Sequence, residues 1–221
     1  SSAASDVYKR QFEKSDRVQE LDARLGAFMD KHVYPREHDW EEFTLDPANL
    51  WQTPDWFDGL REQAKAEGLW NLFLPKEYAP WSPGLSNVEI ATLFETMSKV
   101  SWAQPVFNCS APDRGNMEVL AKYGTPEQQE QWLEPLLAGE IRSAYAMTEP
   151  ALPSSDAKNI STQAVLDGDE WVINGEKYYI SGAGDPRCKV MITMVKTSAD
   201  AAPNRQQSQI LVPTDAPGVE I

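Results

Sequence analysis

The densest run of chemistry-bearing residues is Tyr145-Ala146-Met147-Thr148-Glu149-Pro150, with Ser154-Ser155-Asp156 shortly after it. Hydroxyls, a carboxylate and aromatic rings are the groups that hydrogen-bond a ligand or move a proton. Taken alone, an extended segment ending in Thr-Glu-Pro before a polar loop fits a domain connection as well as a binding site, and Ser154-Ser155-Asp156 fits an ordinary Asx or Ser turn. Glu149 is the nearest carboxylate that tempts a general-base reading. Cys109 has no histidine downstream of it to act as a base, so it is a poor nucleophile candidate. His32 and His38, close to Glu37 and Glu41, read as a solvated helix end, and no metal site is expected. Gly182-Ala183-Gly184 lacks the full G-x-G-x-x-G pattern between a strand and a helix, which argues against a dinucleotide-binding Rossmann turn.

The elements around these residues change character along the chain. Val18, Leu21, Leu25, Phe28 and Met29 recur at three- and four-residue steps and predict an amphipathic helix over 17–33. A second helix is expected from Thr53-Pro54, carrying Trp56, Phe57, Leu60 and Ala64 and stopping at Gly68. Ser86-Asn87-Val88-Glu89 has the form of a capping box ahead of Ile90, Leu93, Phe94 and Met97. Met117, Leu120 and Ala121 mark a fourth helix ending at Gly124, and Thr125-Pro126 opens a fifth that runs to Gly139.

After Ile141 the pattern becomes one of strands. Ile160 to Leu166 alternates, Asp167-Gly168 breaks the run, and Trp171-Val172-Ile173 follows. Asn174-Gly175 is the strongest two-residue hairpin signal and predicts a strand over Lys177 to Ile180. Two further apolar runs, Val190 to Val195 and Ile210 to Val212, complete the set. A helical block followed by a strand block predicts an α+β protein, with an all-helical domain over 16–141 and a β domain over 142–221. Ser1 to Gln11 looks like translated library-adaptor sequence, and 1–15 is expected to be a non-native or disordered leader.

The chain has 221 residues, 41% of them hydrophobic, and a formal net charge of -14. That field repels phosphate backbones and anionic membranes, so nucleic acid is a poor partner. No apolar run is long enough to span a bilayer, and no secretory signal opens the chain. The two cysteines, Cys109 and Cys188, lack disulfide-framework or zinc spacing. A soluble intracellular protein is expected, cytoplasmic in a prokaryote and mitochondrial or peroxisomal in a eukaryote.

In order and spacing, AMTEP, the Ser154-Ser155-Asp156 loop and DGDEWVINGEKYYISG resemble the acyl-CoA dehydrogenase family, whose middle domain carries TEP, a GSD-like loop and an NGxKxWIT-type strand. Upstream, Glu67 to Pro75 and Tyr123 to Gln129 with Trp132-Leu133 resemble the family's helical passages, so the likeness covers about Asp16 to Ile221. Asn108 to Asp113 and Ser181 to Lys189 resemble a branch related to the kinase-fused enzymes of long-chain and 4-hydroxyacyl-CoA dehydrogenation.

The resemblance implies a dehydrogenase that uses flavin adenine dinucleotide (FAD) to introduce an α,β double bond into an acyl-CoA thioester. Electrons would pass to an electron-transfer flavoprotein, and the complete enzyme would be a homodimer or homotetramer. It implies that Tyr145, Met147 and Thr148 line the flavin ring, that Tyr179 stands where the family has a stacking tryptophan, and that Ser181 bonds near the flavin N5. Ser154 and Ser155 would lie along the pantetheine arm of the substrate, with Asp156 fixing their loop. Glu149 is then structural, because the family places its base elsewhere. The implied middle domain is an antiparallel β-barrel-like domain, incomplete at Ile221, and the implied C-terminal helical domain with the catalytic glutamate is missing. The expectation is therefore a fragment that is inactive alone, with no catalytic residue of its own. An acyl-CoA oxidase or flavin monooxygenase of the same fold, and a non-catalytic interaction module, are the alternatives.

Overall fold

The computed structural model describes residues 13–221; the leader expected over 1–15 falls almost wholly outside them. The chain divides between Arg114 and Gly115 into two compact units. The first is helical: α1 (Asp16–Phe28), α2 (Glu37–Leu45), α3 (Phe57–Ala66), α4 (Asn87–Met97) and α5 (Ala103–Val106). Val18, Leu21, Leu25 and Phe28 of α1 are buried, as their spacing demands, and α1 packs on α4 through Ile90, Leu93 and Met97. Ser86 caps α4, and both bonds of the capping box form: Glu89 N–H donates to Ser86 Oγ at 3.4 Å and Ser86 N–H donates to Glu89 Oε2 at 2.8 Å. Polar ties lock the same pair of helices, with Thr96 Oγ1 donating to Asp22 Oδ1 at 2.7 Å. Helix α2 buries no residue, which is why no apolar stripe betrays it in the sequence. Instead, Trp40 of α2 stacks on Trp102 at 5.1 Å between ring centroids, beside Trp56 and Phe57.

The second unit begins within α6 (Asp113–Tyr123), continues through α7 (Pro126–Gln128) and α8 (Glu134–Ala138), and then enters a sheet. Its strands are β1 (Arg142–Ala146), β2 (Gln163–Asp167), β3 (Glu170–Asn174), β4 (Cys188–Lys196) and β5 (Gln207–Pro213). The buried Asn116 amide of α6 donates to Ser143 Oγ of β1 at 2.9 Å, which anchors the helix to the sheet. Strand β4 is the spine: β5 pairs antiparallel along one edge, while β1 and then β2 pair parallel along the other. Its central residues Val190, Ile192, Met194 and Val195 are buried accordingly.

The α+β class and the open, unclosed sheet agree with the sequence reading, with two corrections. The sheet is mixed rather than antiparallel throughout, because β1 and β4 are joined by a long excursion that returns the chain in the same direction. The break at Asp167-Gly168 is, as expected, a tight turn between two strands, β2 and β3, where Asp167 pairs with Glu170 and Gly168 adopts φ +63°. Asn174-Gly175 makes no hairpin, and 177–180 is not a strand.

The packing of α1 on α4 gives a direct test. Leu93→Ala, which empties a fully buried position, should destabilise the chain by about 2–5 kcal/mol in urea unfolding. Val88→Ala, on the exposed face of the same helix, should stay within about 0.5 kcal/mol. Equal effects would mean the assigned inner face is wrong.

Candidate functional site

The segment after β1 is organised around one buried carboxylate. Glu149 is 6% exposed. Its Oε2 accepts from the backbone N–H of Ser161 at 2.8 Å and from Ser161 Oγ at 2.6 Å. Its Oε1 accepts from Thr162 N–H at 2.9 Å, Thr162 Oγ1 at 2.7 Å and Lys177 Nζ at 2.9 Å. Lys177 Nζ also donates to the Met147 carbonyl at 2.9 Å. Burial by itself pushes the Glu149 carboxyl up, but donation from Ser161, Thr162 and Lys177 outweighs it and holds the group well below the usual carboxylate range. A carboxylate with all its lone pairs taken and its acidity so increased has no capacity to accept a proton from a substrate. Glu149 is structural.

Two further contacts explain local sequence choices. Glu149 N–H donates to Ser154 Oγ at 2.6 Å, so the Ser154 hydroxyl, 2% exposed, belongs to the same cluster. A Cβ on Gly175 would stand 2.3 Å from Thr162 Oγ1. Gly175 is therefore glycine because Thr162 must approach its backbone to reach Glu149, and this close approach is what the hairpin reading of Asn174-Gly175 mistook for a turn.

Beside the cluster, two rungs join Thr148 to Tyr178: Tyr178 N–H donates to the Thr148 carbonyl at 2.8 Å, and Thr148 Oγ1 donates to the Tyr178 carbonyl at 2.6 Å. The next residue, Tyr179, has φ +57°, a left-handed conformation rarely adopted by an aromatic residue. Its ring is 86% exposed and lies 4.2 Å, centroid to centroid, from that of Tyr178. The structure thus brings Met147, Thr148 and Tyr179 to one locality. Ser181 is exposed in the turn that follows. Tyr145 is half-buried on β1, its hydroxyl accepting from Gln209 Nε2 of β5 at 3.0 Å, and burial raises its pKa. Ser155 and Asp156 lie exposed on the loop, where Asp156 Oδ1 accepts from Lys158 N–H at 3.1 Å and caps a short 3-10 turn. Ser161, Thr162 and Lys177 escaped the sequence reading. Their signal was an isolated carboxylate after a strand, with two adjacent hydroxyl residues and a lysine able to converge on it.

A helical unit followed by an open mixed sheet is the order of elements met in a known family. Residues 15–140 match the family model described as acyl-CoA dehydrogenase, N-terminal domain, and residues 144–221 match acyl-CoA dehydrogenase, middle domain. The chain belongs to the acyl-CoA dehydrogenase family. Among its relatives, acyl-CoA dehydrogenase family member 11 of Mus musculus is 47% identical over 98% of this chain and 28% of its own length. Family member 10 of the same organism is 47% identical over 94% of this chain and 20% of its own. A solved Mycobacterium abscessus structure assigned to the acyl-CoA dehydrogenases superposes with a TM-score of 0.86 at 47% identity, covering 93% of this chain and 52% of that one. An acyl-CoA dehydrogenase from Geobacillus kaustophilus gives a TM-score of 0.65 at 28% identity, covering 92% and 50%. The chain spans less than a third of the two mouse proteins.

The buried cluster predicts a pH signature. Because the folded-state pKa of Glu149 is depressed, its stabilisation is fully present above the unfolded value of 4.5 and is lost as pH falls through the lower folded value. Glu149→Gln should cost about 3–5 kcal/mol near neutral pH, and the gap to wild type should narrow only below 4.5. A gap that closes well above 4.5 in pH-resolved urea unfolding would contradict the assignment. Gly175→Ala, read in the same experiment, should destabilise by about 1–3 kcal/mol through the clash with Thr162.

Proposed function

We propose that this chain forms the flavin- and acyl-CoA-contacting part of an FAD-dependent acyl-CoA dehydrogenase, with an N-terminal helical domain over 16–141 and a middle β domain over 142–221. The observation that carries the reading is the exposed left-handed Tyr179, held beside Thr148 by the Tyr178 rungs. A large aromatic ring left 86% exposed in a rarely adopted backbone conformation is costly unless a flat partner covers it. An isoalloxazine ring has the shape and polarisable face for that role.

On this reading, FAD supplies the acceptor for the hydride that leaves the β carbon of the acyl thioester. Tyr179 presents the stacking face. Met147, Thr148 and Tyr145 would hold the ring from the β1 side through main-chain groups and the Thr148 oxygen, and Ser181 would offer its hydroxyl to it. Ser155 lies along the pantetheine arm, while Ser154 and Asp156 hold the loop that carries it, each already engaged with backbone groups. Proton abstraction belongs to the C-terminal helical domain that the family resemblance implies, since Glu149 is saturated. Electron-transfer flavoprotein is the electron acceptor of the assembled homodimer or homotetramer. Among the described residues no helix is long and apolar enough to cross a membrane.

Titrating the chain with FAD and following flavin fluorescence tests the reading. Saturable binding with strong quenching is expected, since a stacked tyrosine quenches flavin emission, and Tyr179→Ala should weaken binding by about tenfold, the equivalent of one aromatic contact. Equal binding by wild type and Tyr179→Ala would remove Tyr179 from the site. No saturable binding would remove the flavin reading from this chain.

A further inference from the structure

A concavity lies within the helical unit, lined by none of the residues of the flavin reading. It has a volume of about 520 Å³, within the range of small-molecule sites. One wall carries Lys31, His32, Pro35 and Arg36. These residues sit on a π-helical turn, Met29–Val33, and the 3-10 turn Tyr34–Arg36 that continues it. A π-helical turn is uncommon inside helices and occurs frequently at functional sites. The opposite wall is one face of α3 and its lead-in: Trp56, Gly59, Leu60 and Gln63, spaced at i, i+3, i+4 and i+7.

Three features point to what the cleft takes. The chain has 34 acidic residues and a net charge of -14, yet among the described residues no carboxylate lines this cleft, whereas a lysine, an arginine and a histidine do. Asp39 pairs with Arg36 at 2.8 Å and offsets part of that charge, leaving Lys31 exposed on the rim. Next, Gly59 is the third residue of α3, with nothing within 4 Å of where a Cβ would be. No contact among the described residues requires glycine here. Its effect is to keep the cleft floor open. Finally, the Arg36 guanidinium lies 5.3 Å from the Trp56 ring centroid, which orients a flat cation beside the apolar surfaces of Pro35 and Leu60.

We infer that this cleft binds an organic phosphate of nucleotide size, with Lys31 and Arg36 meeting the phosphate oxygens and the Pro35, Leu60 and Trp56 surfaces meeting its ring. Fixed cations serve the anionic end, and the glycine floor admits the flat end.

Calorimetric titration of the chain with ADP tests the inference, with inorganic phosphate as the control. Saturable one-to-one binding is expected for ADP, with inorganic phosphate weaker by at least about tenfold because the apolar wall adds nothing to it. Lys31→Glu reverses an exposed charge, and Gly59→Leu fills the floor from an exposed face; each should weaken ADP by roughly tenfold or more while the circular dichroism spectrum and melting curve stay those of wild type. Binding of ADP undiminished in Lys31→Glu and Gly59→Leu would place the nucleotide elsewhere and overturn the inference. So would the absence of saturable heat from ADP with the wild-type chain.

Discussion

A charge taken out of water must be fully partnered, and around Glu149 that requirement draws four separate stretches of chain together. The strand end supplies the carboxylate, the following loop supplies Ser154, the lead into β2 supplies Ser161 and Thr162, and the passage after β3 supplies Lys177. An unpaired buried carboxylate or ammonium costs several kcal/mol, so the cluster has little reason to exist half-formed. Once Lys177 is fixed against Glu149 and the Met147 carbonyl, the next residue falls opposite Thr148, and the two Thr148–Tyr178 rungs follow. Tyr179 is then forced outward in its left-handed conformation. The cluster performs no chemistry; it determines which side chain is displayed, and where.

This division of labour gives neighbouring residues opposite roles. Within Thr148-Glu149, the threonine remains at the edge of the displayed surface while the glutamate is consumed as an anchor. The same contrast separates Ser154, whose hydroxyl is engaged with Glu149 N–H, from the exposed Ser155 beside it. Exposed loop residues of this kind can vary without disturbing the anchor, because none of the five bonds to the carboxylate passes through them.

What the sequence disclosed follows from the range of the interactions. Helix α1 was legible because its stripe of Val18, Leu21, Leu25 and Phe28 is a local, periodic signal, and the Ser86–Glu89 capping box because both partners lie within one turn. Helix α2 was not, since the stacking of its Trp40 on Trp102 joins residues far apart in the chain. The parallel pairing of β1 with β4 was hidden for the same reason. Asn174-Gly175 misled because glycine has two uses, a turn or a close approach, and only the position of Thr162 distinguishes them. The motifs drew attention to the segment around Glu149, whereas its ion pair with Lys177, between residues 28 positions apart, emerged only from the fold.

The account's central claim is that the Glu149 cluster is a preformed, rigid anchor. Amide hydrogen exchange on the isotopically labelled chain, read by NMR, addresses it most directly. Ser161, Thr162 and Tyr178 all lie outside the regular strands, yet their N–H groups donate to Glu149 or to Thr148. They should exchange as slowly as the amides of central strand β4, through opening of the whole unit. Exchange at the rate of unprotected loop amides would contradict the claim.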